Sequence, residues 1–209
     1  MIVGNGFDIQ NGLPTSYGHF HNKYSVRLND HFIYFPDFSN DHKWSNFEEN
    51  LGFFDEDSFR ESTAWVPSID DMVESSKYVN GYNDEISQKT DALVDEIQNV
   101  FTTWIRGIDV KKATKFMDFP SEFKFINFNY TSTLQDVYSV PDEDVLHIHG
   151  KASWNVIFGH GKQPSPVDPN QEMDEPWFED AYQTLASVTQ KFHKPVNEIL
   201  EKLRGHLER

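Results

Sequence analysis

The stretch from Phe123 to His149 constrains the fold more than any other part of the chain. Phe123-Lys124-Phe125-Ile126-Asn127-Phe128 and Asp144-Val145-Leu146-His147-Ile148-His149 each read as a strand. Between them, Ser132–Ser139 reads as a short helix with Leu134, Val137 and Tyr138 facing inward. Strand, helix and strand within about 30 residues predict a right-handed βαβ unit and hence a parallel sheet. Two further runs are strand candidates. Met1-Ile2-Val3 is short for a sheet centre, and Trp154-Asn155-Val156-Ile157-Phe158 is the other.

Elsewhere the periodicity is helical. Leu93, Ile97, Val100, Phe101, Trp104, Ile105 and Ile108 recur at helical spacing, with Asp95, Glu96, Gln98, Asn99, Thr102, Thr103 and Arg106 on the opposite side, and the pattern ends near Gly107. Thr15 or Ser16 stands where it can cap a helix carrying Tyr17, Phe20 and Tyr24 on one face. Residues 44–54 predict a helix with Trp44, Phe47 and Leu51 on one stripe, and residues 55–90 read as acidic loop passing into helix. Pro164, Pro166, Pro169 and Pro176 mark residues 161–176 as a surface loop. Helices around 177–193 and 196–208 close the chain, with Pro195 at a helix start. The expected fold is α/β, a Rossmann-like parallel sheet flanked by helices. It forms one domain over residues 1–209, with an acidic, mainly helical insertion over residues 29–108.

Charge and composition exclude several function classes. Lys and Arg number 18 against 34 Asp and Glu, and a net charge of −16 argues against general nucleic-acid binding. The 18 Phe, 8 Tyr and 5 Trp are too many buriable rings for a disordered chain. Cysteine is absent, which removes thiol nucleophiles, disulfides, thiolate zinc sites and iron–sulfur clusters. No run of about 20 apolar residues and no signal-peptide pattern is found, so the expectation is a soluble cytoplasmic protein that does not engage membranes.

Three segments carry candidate chemistry. Gly4-Asn5-Gly6 after a strand suits a phosphate cradle, because glycines admit a tight turn and close approach of a pyrophosphate to backbone N–H groups. The third glycine of the dinucleotide fingerprint is missing, and an ordinary glycine turn explains the same residues. Asn127-Phe128-Asn129-Tyr130-Thr131 falls at the carboxyl end of a strand, where open parallel sheets bind ligands. An Asn there holds a ribose hydroxyl or a water, or else satisfies loop backbone. In His147-Ile148-His149-Gly150, two histidines two apart on a strand share a face. That suits a zinc pair with His160 as third ligand, or a single general base beside a glycine that admits substrate. Histidines hydrogen-bonded within a strand end are the third reading.

Taken in order, these pieces resemble the AbiH family of bacterial abortive phage infection proteins. The resemblance rests on Ile2-Val3-Gly4-Asn5-Gly6-Phe7-Asp8, Asn11-Gly12-Leu13-Pro14-Thr15-Ser16-Tyr17, and Trp44 with Phe47-Glu48 and Leu51. Asn127-Phe128-Asn129-Tyr130-Thr131, His147-Ile148-His149-Gly150 and Ile157-Phe158-Gly159-His160 complete it. That family is in turn similar to the sirtuin-like NAD-consuming proteins, and the likeness implies a sirtuin-like domain. By the same likeness Gly4, Asn5, Gly6, Phe7, Asp8, Pro14 and Thr15 would line an NAD pocket. Asn129 would contact the nicotinamide ribose, and His149 would be the catalytic histidine. Family members usually continue past Phe192-His193-Lys194-Pro195 into another strand, and this chain ends at Arg209 without it. The resemblance therefore implies a truncated or split member, with a second copy or a partner chain supplying the strand.

The implied function is an antiphage effector that takes NAD as its substrate and hydrolyses the nicotinamide–ribose bond through an oxocarbenium-like state. Asn129 would orient the ribose or the water. His149 would accept a proton, a role suited to the ordinary imidazole pKa of about 6.5. No metal is expected. Without cysteine there is no zinc ribbon of the deacetylating sirtuins, so hydrolysis is favoured over deacylation. Two other classes stand beside it: a metal-dependent hydrolase built on His147 and His149, and a non-catalytic nucleotide-sensing or interaction module.

Overall fold

The computed structural model describes residues 1–35, 44, 46–63, 66–162 and 176–208. In chain order it forms β1 (Ile2–Val3), α1 (Asn5–Gln10), α2 (Tyr17–Phe32), α3 (Phe47–Asn50), α4 (Glu56–Thr63), α5 (Ile69–Glu74) and α6 (Ser76–Arg106). There follow β2 (Phe125–Asn127), α7 (Thr133–Asp136), β3 (Val145–His147), α8 (Glu179–Lys191) and α9 (Val196–Leu207).

The three strands form one parallel sheet in the order β1-β2-β3. Val3 lies beside Asn127 and Asn127 beside His147. The expected strand–helix–strand unit is thus present as β2–α7–β3, and the N-terminal run is an edge strand. Val3, Phe125, Leu134 and Val145 form a buried apolar cluster to which Phe7, Phe119 and Val140 are added. Burying side chains of this size contributes roughly 1.5–3 kcal/mol each, which lets such short strands persist. Strand order follows chain order without a reversal, so these strands contain no topological switch point of the doubly wound kind. The architecture is α/β with a small parallel sheet.

Trp154–Phe158 is not a strand. Asn155 lies in the left-handed region at φ 49, and Lys151 bridges Trp154 across a turn, so the segment cannot run extended. Ile157 N–H donates instead to the His149 carbonyl, and the Tyr130 hydroxyl donates to the Ile157 carbonyl. The Gly4-Asn5-Gly6 turn is the entry to α1, with Gly4 as its extended N-cap residue. The helix expected over 44–54 is confined to α3, yet Trp44, Phe47 and Leu51 are all buried. Residues expected as acidic loop after 55 are largely helical. Ser68 and Asp71 form a capping box that starts α5, a helix signal inside an acidic stretch.

The stripe on α6 is as expected: Leu93, Ile97, Val100, Phe101, Trp104 and Ile105 are buried, while Asp95, Asn99, Thr103 and Arg106 are exposed. Gly107 ends the helix, its N–H folding back to the carbonyls of Thr103 and Trp104. Pro195 is the N-cap residue of α9. Most of the loop expected over 161–176 lies outside the described residues.

The chain divides into two compact units. The first comprises Met1–Arg27, Asn99–Phe158 and Lys194–Arg209, and contains the sheet. Its aromatic centre sets Phe20 against Phe101 and Trp104, and Phe101 against Tyr130 and Phe158. The second comprises Leu28–Gln98 and Gly159–His193. In it Phe32 meets Trp44 and Phe47, and Phe35 meets Phe54 and Phe192. Among the described residues no helix is long and apolar enough to cross a membrane.

Candidate functional site

Parallel pairing brings the chain's candidate residues to one edge. Val3, Asn127 and His147 are in register, so the segments Gly4-Asn5, Phe128-Asn129 and Ile148-His149 all leave the carboxyl edge of the sheet. Backbone pairing continues one step further: Phe128 N–H donates to the Val3 carbonyl and Ile148 N–H to the Asn127 carbonyl, each at 2.9 Å. Ligands of open parallel sheets bind at that edge.

Asn129 is only 5% exposed. Its N–H donates to Asn127 Oδ1 at 2.9 Å, an Asx turn that bends the chain off β2. Its carbonyl accepts a hydrogen bond from His147 Nδ1 at 3.1 Å. The side-chain Nδ2 is buried and makes no hydrogen bond among the described residues. Leaving a buried donor unpaired costs about 1–3 kcal/mol, so Nδ2 marks a position for an oxygen of a ligand or a water. His149 is half-buried, its ring edge-on to Phe128 at 5.5 Å and tilted against Tyr130 at 5.9 Å.

His147 has different duties. With Nδ1 donating to Asn129, Nε2 accepts from Gln135 Nε2 at 2.9 Å. Gln135 also donates to Asp142, which Lys151 meets at 2.6 Å. The Lys151 and Gln135 hydrogen bonds hold the Asp142 carboxyl below its ordinary range. Burial holds the His147 imidazole below its usual pKa, against the opposing pull of the Asn129 carbonyl. Both of its ring nitrogens are therefore committed. His160 belongs to the second unit and is 5% exposed, its Nε2 donating to the Thr189 carbonyl and its Nδ1 accepting from Lys162 N–H. Among the described residues no three His, Asp or Glu side chains gather to hold a metal ion.

The N-terminal residues divide into two groups. Gly4 and Gly6 have open space where a Cβ would stand, and neither has a positive φ. Among the described residues no packing contact requires glycine at either position. Asn5 Oδ1 accepts the Thr15 hydroxyl at 2.6 Å, which orients the Asn5 amide, and Pro14 is exposed beside Thr15. Phe7 and Asp8 lie behind this edge. The Phe7 ring packs on Phe116, Phe119 and Tyr138. Asp8 is 1% exposed and accepts the hydroxyls of Thr131 and Thr133, the latter at 2.8 Å. Burial raises its pKa, and the two hydroxyl bonds oppose the rise. Asp8 thereby pins α1 to the loop leaving β2.

A second pin escapes sequence reading. Asn11 is fully buried, donates to the Phe7 carbonyl and accepts the Tyr138 hydroxyl at 2.8 Å. Tyr138 is 127 positions from Asn11, and Thr133 is 125 from Asp8, so no local pattern announces either pair. Gln135 is a further unlooked-for residue, and only the fold sets it against His147.

Comparison with known proteins bears on the whole length. No curated protein and no solved structure matches the chain. A family model described as "Bacteriophage abortive infection AbiH" matches residues 1–209. That match covers every segment on which the resemblance was drawn, and the chain belongs to the AbiH family of bacteriophage abortive infection proteins.

Proposed function

We propose that this AbiH-family protein serves abortive infection by binding NAD at the carboxyl edge of its sheet and hydrolysing the nicotinamide–ribose bond, on a sirtuin-like version of the α/β fold. The observation that carries this reading is the buried, unpartnered Nδ2 of Asn129, on the same strand edge as His149. The open space at Gly4 and Gly6 and the Asn5 amide held by Thr15 also suit the close approach of a dinucleotide. NAD supplies a glycosidic bond whose cleavage builds oxocarbenium-like charge. Asn129 Nδ2 donates to a ribose hydroxyl or to the attacking water and fixes its direction. His149, backed by the rings of Phe128 and Tyr130, accepts the proton. His147 and Asp8 act at one remove, the first through the Asn129 carbonyl and the second through Thr131.

The test is NAD and nicotinamide followed by mass spectrometry, with the purified protein and in expressing cells after phage challenge. Wild type is expected to release nicotinamide. Folded Asn129→Ala and His149→Ala are each expected to lose about a hundredfold or more of that rate, together with phage protection. Wild-type rates in either variant would remove that residue's role. NAD binding without turnover would turn the reading toward a nucleotide sensor.

A further inference from the structure

The side-chain amide of Gln135 is held one way round against its own preference. Its Nε2 donates to Asp142 Oδ1 at 3.1 Å and to His147 Nε2 at 2.9 Å, so both amide hydrogens are engaged. Its Oε1 is buried and has no hydrogen-bond partner among the described residues. An unpaired buried acceptor is unfavourable, and an apolar side chain would tie α7 to β3 without leaving one. Turning the amide over would be worse, because Oε1 would then face a carboxylate, which donates nothing. Asp142 stays a carboxylate because Lys151 meets it at 2.6 Å and the hydrogen bonds from Lys151 and Gln135 hold its carboxyl below the ordinary range.

The order then runs inward from that ion pair. Asp142 fixes the Gln135 amide, and the amide places an N–H on His147 Nε2. A neutral imidazole has one hydrogen, here on Nδ1, which donates to the Asn129 carbonyl at 3.1 Å. Five groups, all in the sheet-bearing unit, thus connect a solvent-facing lysine to the turn that carries Asn129. Asp142 and Lys151 are also the charges that the ring feels, and they act in opposite directions.

We infer that Gln135 is a positioning residue of the carboxyl edge: oriented by Asp142, it keeps a proton off His147 Nε2, so that the ring holds the Asn129 turn through Nδ1–H without setting a positive charge beside it. An imidazolium there would oppose the cation that forms as a glycosidic bond breaks. That consequence rests on the NAD reading, whereas the state of the ring does not.

Nitrogen-15 NMR of the His147 ring, followed through a pH titration of the full chain, tests the inference without substrate. Wild type is expected to keep Nε2 unprotonated to below pH 6.5. A wild-type ring that carries its proton on Nε2 at pH 7 overturns the inference. Asp142→Asn separates the relay from simple charge, and a side chain that is 71% exposed makes the substitution mild for the fold. Removing a nearby negative charge would by itself make His147 harder to protonate, lowering its midpoint. Freeing the Gln135 amide to turn and accept from Nε2–H does the reverse, and the expected result is a midpoint raised by about 0.5 pH unit or more. A midpoint that is unchanged or lowered overturns the relay. Gln135→Glu replaces the donor with an acceptor of the same size and is expected to raise the midpoint by about one to three pH units. At pH 7 it should then lower kcat for nicotinamide release about tenfold or more. Wild-type kcat in that variant, with the ring shown to be cationic, overturns the positioning role. Asn129→Ala should abolish nicotinamide release yet leave the His147 midpoint in place, because the ring is bonded to the backbone carbonyl. If wild type releases no nicotinamide, the NAD reading fails while the titrations still decide the relay.

Discussion

A carboxylate that is 1% exposed and bonded to two hydroxyls still feels its burial more than its partners, and Asp8 is raised above the ordinary 3.8. The folded protein therefore holds the Asp8 proton more readily than the unfolded chain does. Its contribution to stability is fully present below pH 3.8 and is lost as pH rises through the folded value. His147 runs the other way. Burial holds it below 6.5, so its contribution is present above that value and is lost as pH falls through the folded one. The raw pH profile mixes the two, and a variant separates them. Asp8→Asn keeps an acceptor and removes the titration, so it should gain stability relative to wild type between about pH 4 and pH 7 in urea unfolding. A difference that stays constant over that range would show Asp8 to titrate as an ordinary exposed carboxylate. At this scale half of the candidate site is legible in the sequence. Asn129 and His149 sit in short local patterns at strand ends, whereas the Asp8 and Asn11 pairs are made by folding alone.

Glycine shows how elements discriminate between architecture and ligand. Gly150 turns the chain after β3 at φ +76, and a Cβ there would stand 1.8 Å from the Asn155 carbonyl oxygen. Neither the backbone angle nor the space admits another residue. Gly150→Ala is expected to cost about 2 kcal/mol or more, read as a lower urea midpoint at unchanged slope. Gly6→Ala is expected to be neutral or to stabilise by up to about 1 kcal/mol, because it lies within α1 with nothing near its missing Cβ. If Gly6→Ala is as damaging as Gly150→Ala, the open space at α1 is a structural requirement and not room for a ligand. Elements with a strong period are legible: α6 shows its buried stripe in sequence, and the β2–α7–β3 unit follows from alternation of strand and helix. What fails is Trp154–Phe158, whose apolar run looks like a strand but is bent by a left-handed Asn155 and held by the Tyr130 hydroxyl. A run of suitable residues states a propensity, and the partner edge that would make it a strand is a tertiary fact.

Neither compact unit is continuous in sequence. The sheet-bearing one joins Met1–Arg27, Asn99–Phe158 and Lys194–Arg209, and the other joins Leu28–Gln98 with Gly159–His193. Amphipathic spacing says that a face is buried without saying against what, so helices can be read from the chain while the joining of distant segments cannot. Net charge is the one whole-molecule property that needs no fold to be read. At −16 the compact state carries a self-repulsion that unfolding relieves, and salt screens it once the Debye length falls to about 8–10 Å. Ion pairs such as Lys115 with Asp118 and Lys191 with Asp91 join side chains open to solvent, and the loss of each to screening is worth at most about 1 kcal/mol. The repulsion should outweigh them, so moving from about 20 mM to about 300 mM NaCl is expected to raise Tm by a few degrees. A Tm that falls over the same range would mean that local pairing outweighs the excess of acid.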